Sequence, residues 1–460
     1  MTNTNFDLII VGAGAGGISA ARAARRRDAT VAIVQDGPIG GDCTFTGCVP
    51  SKALLAAAAR GASFDAAMTA VHDSIATIAA AEDASALARE GIVVIRGRGH
   101  VTSPTTIDVD GTTLRCGHMI IATGATALVP PITGLASAAF LTNETLFDLT
   151  ARPGSLAILG GGPIGCEMAQ AFARLGTSVT LVEAVDRILP REEPEVSPII
   201  ATALRNDGVA VRTGSGVIAV ESSSRGVRLV FGDDAAPIEA EQLLVAIGRA
   251  PSGRGFGLGE IGVELDQQGA VVVDNTLRTS VKGVWAIGDV TGRLPFTHVA
   301  AKMGFIAVRN AFEWTARLRP STFETNAIPW ATFTDPEVAH VGMTEADAAA
   351  IGGRVAKLPF ADLDRAITAG RTEGFVKLMA APRRITGWAG GGRLVGATIV
   401  GPTAGEMIHE PTLAIETAMF TGRLAQTTHA YPTWSLAIQQ AAAQFFFEQD
   451  GRAALPAAAR

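Results

Sequence analysis

An α/β chain that carries one strand–glycine turn–helix–strand unit twice is what this sequence predicts. Three observations lead there. "DLIIVGAGAGGISAARAARRR", from Asp7 to Arg27, sets an apolar β run before a glycine turn and a helical stretch, and "TVAIV" beyond it reads as a second strand. "LAILGGGPIGCEMAQAFARLGTSVTLVE" repeats that order from Leu156 to Glu183. The chain has 460 residues, 48% hydrophobic and 18% charged, so it is globular and well buried, and too long for one ordinary domain.

The turn of each unit has the spacing G-x-G-x-x-G: Gly12, Gly14 and Gly17 in the first, Gly160, Gly162 and Gly165 in the second. The first glycine permits a tight turn, the second lets the backbone approach a pyrophosphate, and the third lets helix pack on strand. The phosphates then sit at the positive end of a helix. One such turn is weak support. Two, each between strand and helix, point to two Rossmann-like dinucleotide-binding domains and two dinucleotides, a nicotinamide donor and a flavin.

The position 23 residues past the first glycine meets the ribose. In the second unit it is Glu183, a carboxylate that accepts from a 2′-OH and repels a 2′-phosphate, so NADH is favoured over NADPH. Arg187 works against that preference. In the first unit the position is Gln35, with Asp36 beside it, and Gln35 can bond a ribose hydroxyl without charge. "MIIATGA" and "LLVAIGRAP" are apolar strands ending in glycine turns, where the two nucleotide folds close, at Thr123 and Gly124 and at Gly248. "GVWAIGDV" is a third such strand, ending at Gly288 and Asp289.

The formal net charge of −6 offers no basic footprint for nucleic acid and no polybasic membrane anchor. The N-terminus has no basic n-region and its apolar run breaks into glycines, so neither a signal peptide nor a membrane helix is expected and a cytoplasmic enzyme is the default. Four cysteines are too few for a disulfide framework, and no His/Cys group has zinc spacing. Cys116 and Cys166 read as small core hydrophobes. "FDAAMTAVHDSIATIAA" has Met68, Val71, Ile75 and Ile78 at helical spacing and reads as a packing helix, with His72 incidental. "AAPRRITGWAGGG" reads as a long hairpin loop and "GRAALPAAAR" as a frayed tail.

"IGGDCTFTGCVPSKALLAAAA" follows the first unit directly. Pro50 suits a first helical turn, so Cys48 falls at a helix N-terminus, where the dipole favours a thiolate. Lys52 lies one turn on and adds positive potential. Cys43 lies in the loop before, within reach of a disulfide to Cys48. In a reducing compartment such a pair is redox-active rather than structural.

With this motif in place, the chain resembles the pyridine nucleotide–disulfide oxidoreductases, the class containing glutathione reductase, dihydrolipoamide dehydrogenase and mercuric reductase, over nearly its whole length. The resemblance implies an FAD-binding domain at 1–150, an NAD(P)H-binding domain at 151–274, a central segment completing the FAD site at 275–335, and a C-terminal α+β dimerisation domain at 336–460 opening near "FTDPEVAHVGMTE". It implies a homodimer that reduces a small-molecule or thiol/disulfide acceptor. Cys43 would be the interchange thiol, Cys48 the thiol against the flavin, Lys52 and Glu167 an ion pair near it, and Asp289 a partner of the ribityl chain. His298 reads as structural.

The chain departs from the pattern it resembles near its C-terminus. Disulfide reductases of this class carry His-Pro-Thr-x-x-Glu near the C-terminus, where the histidine, reaching in from the other subunit, is the acid/base partner of the interchange thiol. Here the segment is "YPTWSL": Tyr431, the only tyrosine, stands at the histidine and Leu436 at the glutamate. A phenol, with a pKa of about 10, donates a hydrogen bond at neutral pH but rarely acts as a base. The expectations are that Tyr431 donates to the acceptor, and that His429, two residues upstream, packs locally. Reduction of a quinone or a metal ion, and a non-catalytic flavoprotein, are the alternatives.

Overall fold

Runs of apolar residues that can be buried on both faces form parallel strands, and the first unit is built on them. The computed structural model describes residues 4–232, 235–449 and 451–458. They gather into two units. The first holds the chain up to Pro131, then Ala139–Arg152 and Leu244–Glu324; the second holds Ile132–Ala138, Pro153–Leu243 and the chain from Thr325.

In the first unit Asn5–Val11 lies centrally, parallel to Val31–Gln35 on one side and Thr112–Ile121 on the other. Ile92–Arg96 extends the sheet beyond Val31–Gln35, and Val284–Ala286 pairs parallel with Thr112–Ile121. Thr106–Val109 and Gly99–Ser103 continue it antiparallel. The strand Gln242–Val245, expected to close the second nucleotide fold, stands beside Ser155–Leu159 in that fold's sheet, whereas residues 246–274, expected in the NAD(P)H-binding domain, belong to the first unit. Strand pairing draws them there: Arg249–Pro251 pairs with Ala125–Ala127, and Val271 N donates to Val290 O at 2.8 Å.

Helix Ala15–Arg25 buries its small residues, and helix Thr297–Phe312 packs against it. Glycine allows the crossing: a Cβ on Gly304 would stand 2.9 Å from Gly16 O. Helix Phe64–Ala80 is capped by Ser63, whose side chain accepts from Ala66 N. It buries Met68 and Val71, but Ile78 at its far end is exposed, so the apolar stripe outruns the core. His72 is not idle; its Nε2 lies 3.2 Å from Phe147 O.

In the second unit Ser155–Leu159, Ser178–Val182 and Ala210–Arg212 run parallel. The C-terminal part is an antiparallel sheet in the order Pro329–Thr332, Glu337–Gly342, Arg393–Gly401, Phe375–Ala381, Arg354–Pro359, Leu455–Pro456. Residues 382–392 form the hairpin connection. The tail read as frayed supplies the last strand, pairing Leu455 with Val355 through backbone bonds that its alanine-rich sequence does not advertise. Helices His409–Glu416 and Leu436–Ala443 bury Ala414, Ile415, Ile438 and Ala442 in the core that this sheet builds. No helix among the described residues is long and apolar enough to cross a membrane.

The stretch Glu192–Glu195 ties the two parts of this unit together. Trp330 Nε1 donates to Glu192 Oε1 at 2.7 Å, and Glu345 N donates to Glu193 Oε1 at 2.6 Å. Burial, with Glu193 nearby, pushes the Glu192 carboxyl up to about 7, against the bond from Trp330. A carboxyl raised above its unfolded value contributes full stability below about pH 4.5 and loses it as pH rises through 7. Glu192→Gln is therefore expected to leave stability unchanged near pH 4 and to raise it at pH 8 by up to about 3 kcal/mol, at ~1.4 kcal/mol per pH unit. Denaturant midpoints at the two pH values test this; equal effects at both would show that the carboxylate ionises without penalty.

Candidate active site

The two glycine turns are the same object built twice. Gly12 and Gly160 have φ of +110° and +109°, a region open to glycine. A Cβ on Gly17 would stand 2.0 Å from Gly12 O, and one on Gly165 would stand 1.8 Å from Gly160 O, so helix and turn touch through bare backbone. A Cβ on Gly14 or Gly162 would meet nothing within 4 Å. These two glycines cap helices Ala15–Arg25 and Pro163–Arg174, and no side chain caps either helix. Each turn thus offers helix N–H groups beside open space, the cradle a pyrophosphate requires.

The strand-end residues hold these turns. Gln35 Oε1 accepts from Ala13 N at 2.7 Å, and Glu183 Oε2 accepts from Gly161 N at 2.7 Å, the same bond in both units. Glu183 Oε1 also accepts from Val185 N at 3.1 Å. Arg187 turns to its own loop and donates to Pro190 O at 2.8 Å. Asp36 is exposed. Thr123 Oγ1 donates to Ser252 O at 2.7 Å, and Gly124 and Gly248 have positive φ at the two turns beside it.

The cysteine segment docks on the first glycine turn. Gly40 N donates to Ala13 O at 2.8 Å, and a Cβ on Gly41 would stand 2.8 Å from Gly14 Cα. Only glycine fits there, and the contact seats the cysteine segment against the turn. Cys43 is in a short helix, Gly41–Phe45, not in a loop. Gly47 then allows a tight reversal, a Cβ there lying 2.9 Å from Asp42 O. Cys48 begins helix Cys48–Ala59, with Lys52 one turn on. The Cys43 thiol is held well above the usual thiol range by its hydrogen bond with Cys48 and by burial, against a bond from Thr297. Cys48 Sγ lies 3.6 Å from Thr297 Oγ1.

Two neighbours of this pair, Thr297 and Arg249, escaped the sequence reading. Thr297, at the start of its helix, meets the sulfurs, while the adjacent His298 stacks on Phe296 at 5.5 Å. Arg249 pairs with Asp42 and donates to Ala125 O, and its Nε lies 3.7 Å from Asp289 Oδ2. Burial pushes the Asp289 carboxyl up, Arg249 opposes the rise, and Asp42 and Cys48 add to it. The "GDC" and "GRAP" segments had no visible link in sequence. Their meeting depends on the pairing of Arg249–Pro251 with Ala125–Ala127.

Cys116 and Cys166 are buried, and burial raises both thiols, Cys116 to about 11. In the second unit Glu167 is buried on helix Pro163–Arg174 and accepts from Phe333 N at 2.9 Å. Tyr431 is 70% exposed, and its hydroxyl donates to Asp364 Oδ2 at 2.8 Å. His429 Nε2 faces Glu410 Oε2 at 3.1 Å and its Nδ1 faces Thr427 O at 3.0 Å, so both ring nitrogens are engaged locally. Leu436 packs against the core.

Comparison with known proteins agrees with this architecture. The family described as pyridine nucleotide-disulphide oxidoreductase matches residues 6–304, and the dimerisation domain of the same family matches residues 328–442. Mercuric reductase of Streptomyces lividans is 36% identical, covering 96% of this chain and 97% of that protein. Dihydrolipoyl dehydrogenase of Chlamydia pneumoniae is 33% identical, covering 94% and 95%. Among solved structures, the Cu(II) complex of the HOCl-induced flavoprotein disulfide reductase RclA from Escherichia coli superposes with a TM-score of 0.87 at 27% identity, covering 96% of this chain and 99% of that one.

Proposed function

Because the chain belongs to the pyridine nucleotide-disulphide oxidoreductases, enzymes that use FAD and NAD(P)H, we propose that it is a homodimer passing electrons from NADH to a disulfide-type acceptor through Cys43 and Cys48. The observation that carries this reading is the docking of the cysteine segment on the Gly14 turn, with the two sulfurs in contact at the start of a helix. Gly12, Gly14, Gly17, Gln35, Thr123, Gly124 and Asp289 would hold FAD, and Gly160, Gly162, Gly165 and Glu183 the nicotinamide nucleotide; Asp36 and Gly248 flank these sites. FAD supplies two-electron exchange between the nicotinamide and the cysteine pair.

The protein's own part begins once the pair is reduced. The proton stays on Cys43, because the helix N-terminus favours negative charge at Cys48. Cys43, once deprotonated, attacks one acceptor sulfur, forms a mixed disulfide and releases one thiolate. Cys48 then attacks Cys43, releases the second thiolate and restores the Cys43–Cys48 disulfide. Lys52 and Glu167 act near the flavin. With tyrosine and leucine at the dyad positions, no imidazole takes the Cys43 proton or returns it to the leaving thiolate. Such a group is typically worth ~10²–10⁴ in rate.

Acceptors whose thiolates leave without protonation escape that penalty, since a low-pKa thiol leaves faster. NADH oxidation is therefore expected to be at least ~10²-fold faster with an aromatic disulfide than with a dialkyl disulfide. It is also expected to prefer NADH to NADPH by roughly tenfold or more, since Glu183 would face the 2′-phosphate and Arg187 is held elsewhere. Equal rates with both disulfides would overturn the first expectation, and a preference for NADPH the second. The second reading, reduction of a metal ion bound by the two sulfurs, draws support from the mercuric reductase likeness and from the Cu(II) bound by RclA. Rapid NADH oxidation with Hg(II) or Cu(II), and none with any disulfide, would favour it.

A further inference from the structure

We infer that Asp364 is the positioning residue for Tyr431, the carboxylate that fixes the phenol where Leu436 provides none. The inference rests on the proposed place of Tyr431 in the acceptor site. Asp364 opens helix Asp364–Ala369 and accepts the Tyr431 hydroxyl at 2.8 Å. The same two segments meet again further along. The Trp434 ring lies 5.3 Å from Phe360, and the Arg365 guanidinium lies 5.7 Å from the Trp434 ring. The tyrosine segment is thus pinned to residues 360–365 at three points, only one of them polar at the phenol. The nearest histidine, His429, is turned to Glu410 and Thr427 O, and Leu436 faces the core.

The consequence for chemistry is a reversal of polarity. A phenol has one hydrogen, and Asp364 takes it. What Tyr431 presents outward is an oxygen lone pair, not the donor that the sequence led us to expect. An anion beside the phenol also disfavours phenolate, so the group stays neutral and oriented. A fixed acceptor of this kind suits a partner with a hydrogen to give, such as a protonated thiol, and suits a bare oxyanion poorly.

Because Tyr431 is the only tyrosine, phenolate absorbance near ~295 nm titrates this one group in the holoenzyme. Asp364→Asn is expected to lower the titration midpoint, since the bond to the carboxylate is what raises it. Tyr431→Phe and Asp364→Asn are each expected to reduce acceptor turnover by roughly three- to tenfold, the value of one hydrogen bond. The double variant should lose no more than either single, Asp364→Glu should recover part, and the rate of reduction by NADH should not move. An unshifted midpoint, or additive losses in the double variant, overturns the inference while leaving any effect of Tyr431→Phe intact. A shifted midpoint with no change in turnover for either variant removes Tyr431 from the acceptor site, and the role of Asp364 falls with it.

Discussion

Cys43→Ser and Cys48→Ser are each expected to lose reduction of disulfide acceptors by about 10³-fold or more, and to fail in distinguishable ways. The magnitude follows from removing a nucleophile that nothing else replaces. The other two cysteines, Cys116 and Cys166, are buried, with thiols raised by burial. The distinction follows from the order of the two attacks. Without Cys43 no bond to the acceptor forms, so intact-mass measurement after exposure to an aromatic disulfide should find no adduct on the folded protein. Without Cys48 the mixed disulfide on Cys43 forms and is not resolved, so the adduct should accumulate at one equivalent. The Cys48 variant has a further handicap. The helix N-terminus stabilises negative charge on Cys48, and a serine hydroxyl in its place carries none at neutral pH. Reduction by NADH should survive in both variants, because the glycine turns do not depend on either sulfur. An adduct trapped in Cys43→Ser and absent from Cys48→Ser would exchange the two roles.

The parts of this site that were legible in sequence are those fixed by short-range geometry. A glycine that must take φ near +110°, or that lies within 2 Å of a carbonyl when given a Cβ, leaves a spacing that can be read directly, as Gly12, Gly17, Gly160 and Gly165 do. The start of a helix at Cys48 was likewise signalled by Pro50 two residues on. The parts that were not legible are long-range. Arg249 reaches Asp42 across more than 200 positions of sequence, and only strand pairing in the folded unit brings them together. Thr297 meets the sulfurs because two helices cross at Gly16 and Gly304, a contact between small residues with no periodic signal. Asp364 lies 67 positions from Tyr431 in an ordinary polar stretch. The displaced carboxylate could not be inferred from the absence of one at Leu436.

Lys377 is the clearest case of chemistry hidden by sequence, and its loss is the largest stability effect expected outside the redox pair. "GFVKLM" reads as a strand with one charged residue, which by alternation should face solvent. Its lysine is instead 2% exposed. The ammonium lies 3.0 Å from Glu193 Oε2 and 2.7 Å from Glu195 Oε2, and pairs with Glu345 as well. Burial alone would lower the lysine, but the carboxylates outweigh it and hold the ammonium above its ordinary range. Across the antiparallel pair, Lys357 faces Lys377 and shares Glu195 at 2.9 Å. The three carboxylates have the spacing of a cation site, and the lysine is the cation that fills it. Lys377→Met keeps the volume and removes the charge. Removing one partner of a buried ion pair typically destabilises by ~3–5 kcal/mol; here Glu193 is left buried without its cation, while Glu195 keeps Lys357. Protonating the carboxylates removes the charge left without its cation, so the deficit should shrink below about pH 4.5 and reach its full size as pH rises toward 8. Denaturant midpoints of wild type and Lys377→Met across that range read the effect. A deficit that does not change with pH would assign the loss to packing alone and leave the carboxylate cluster without a role in stability.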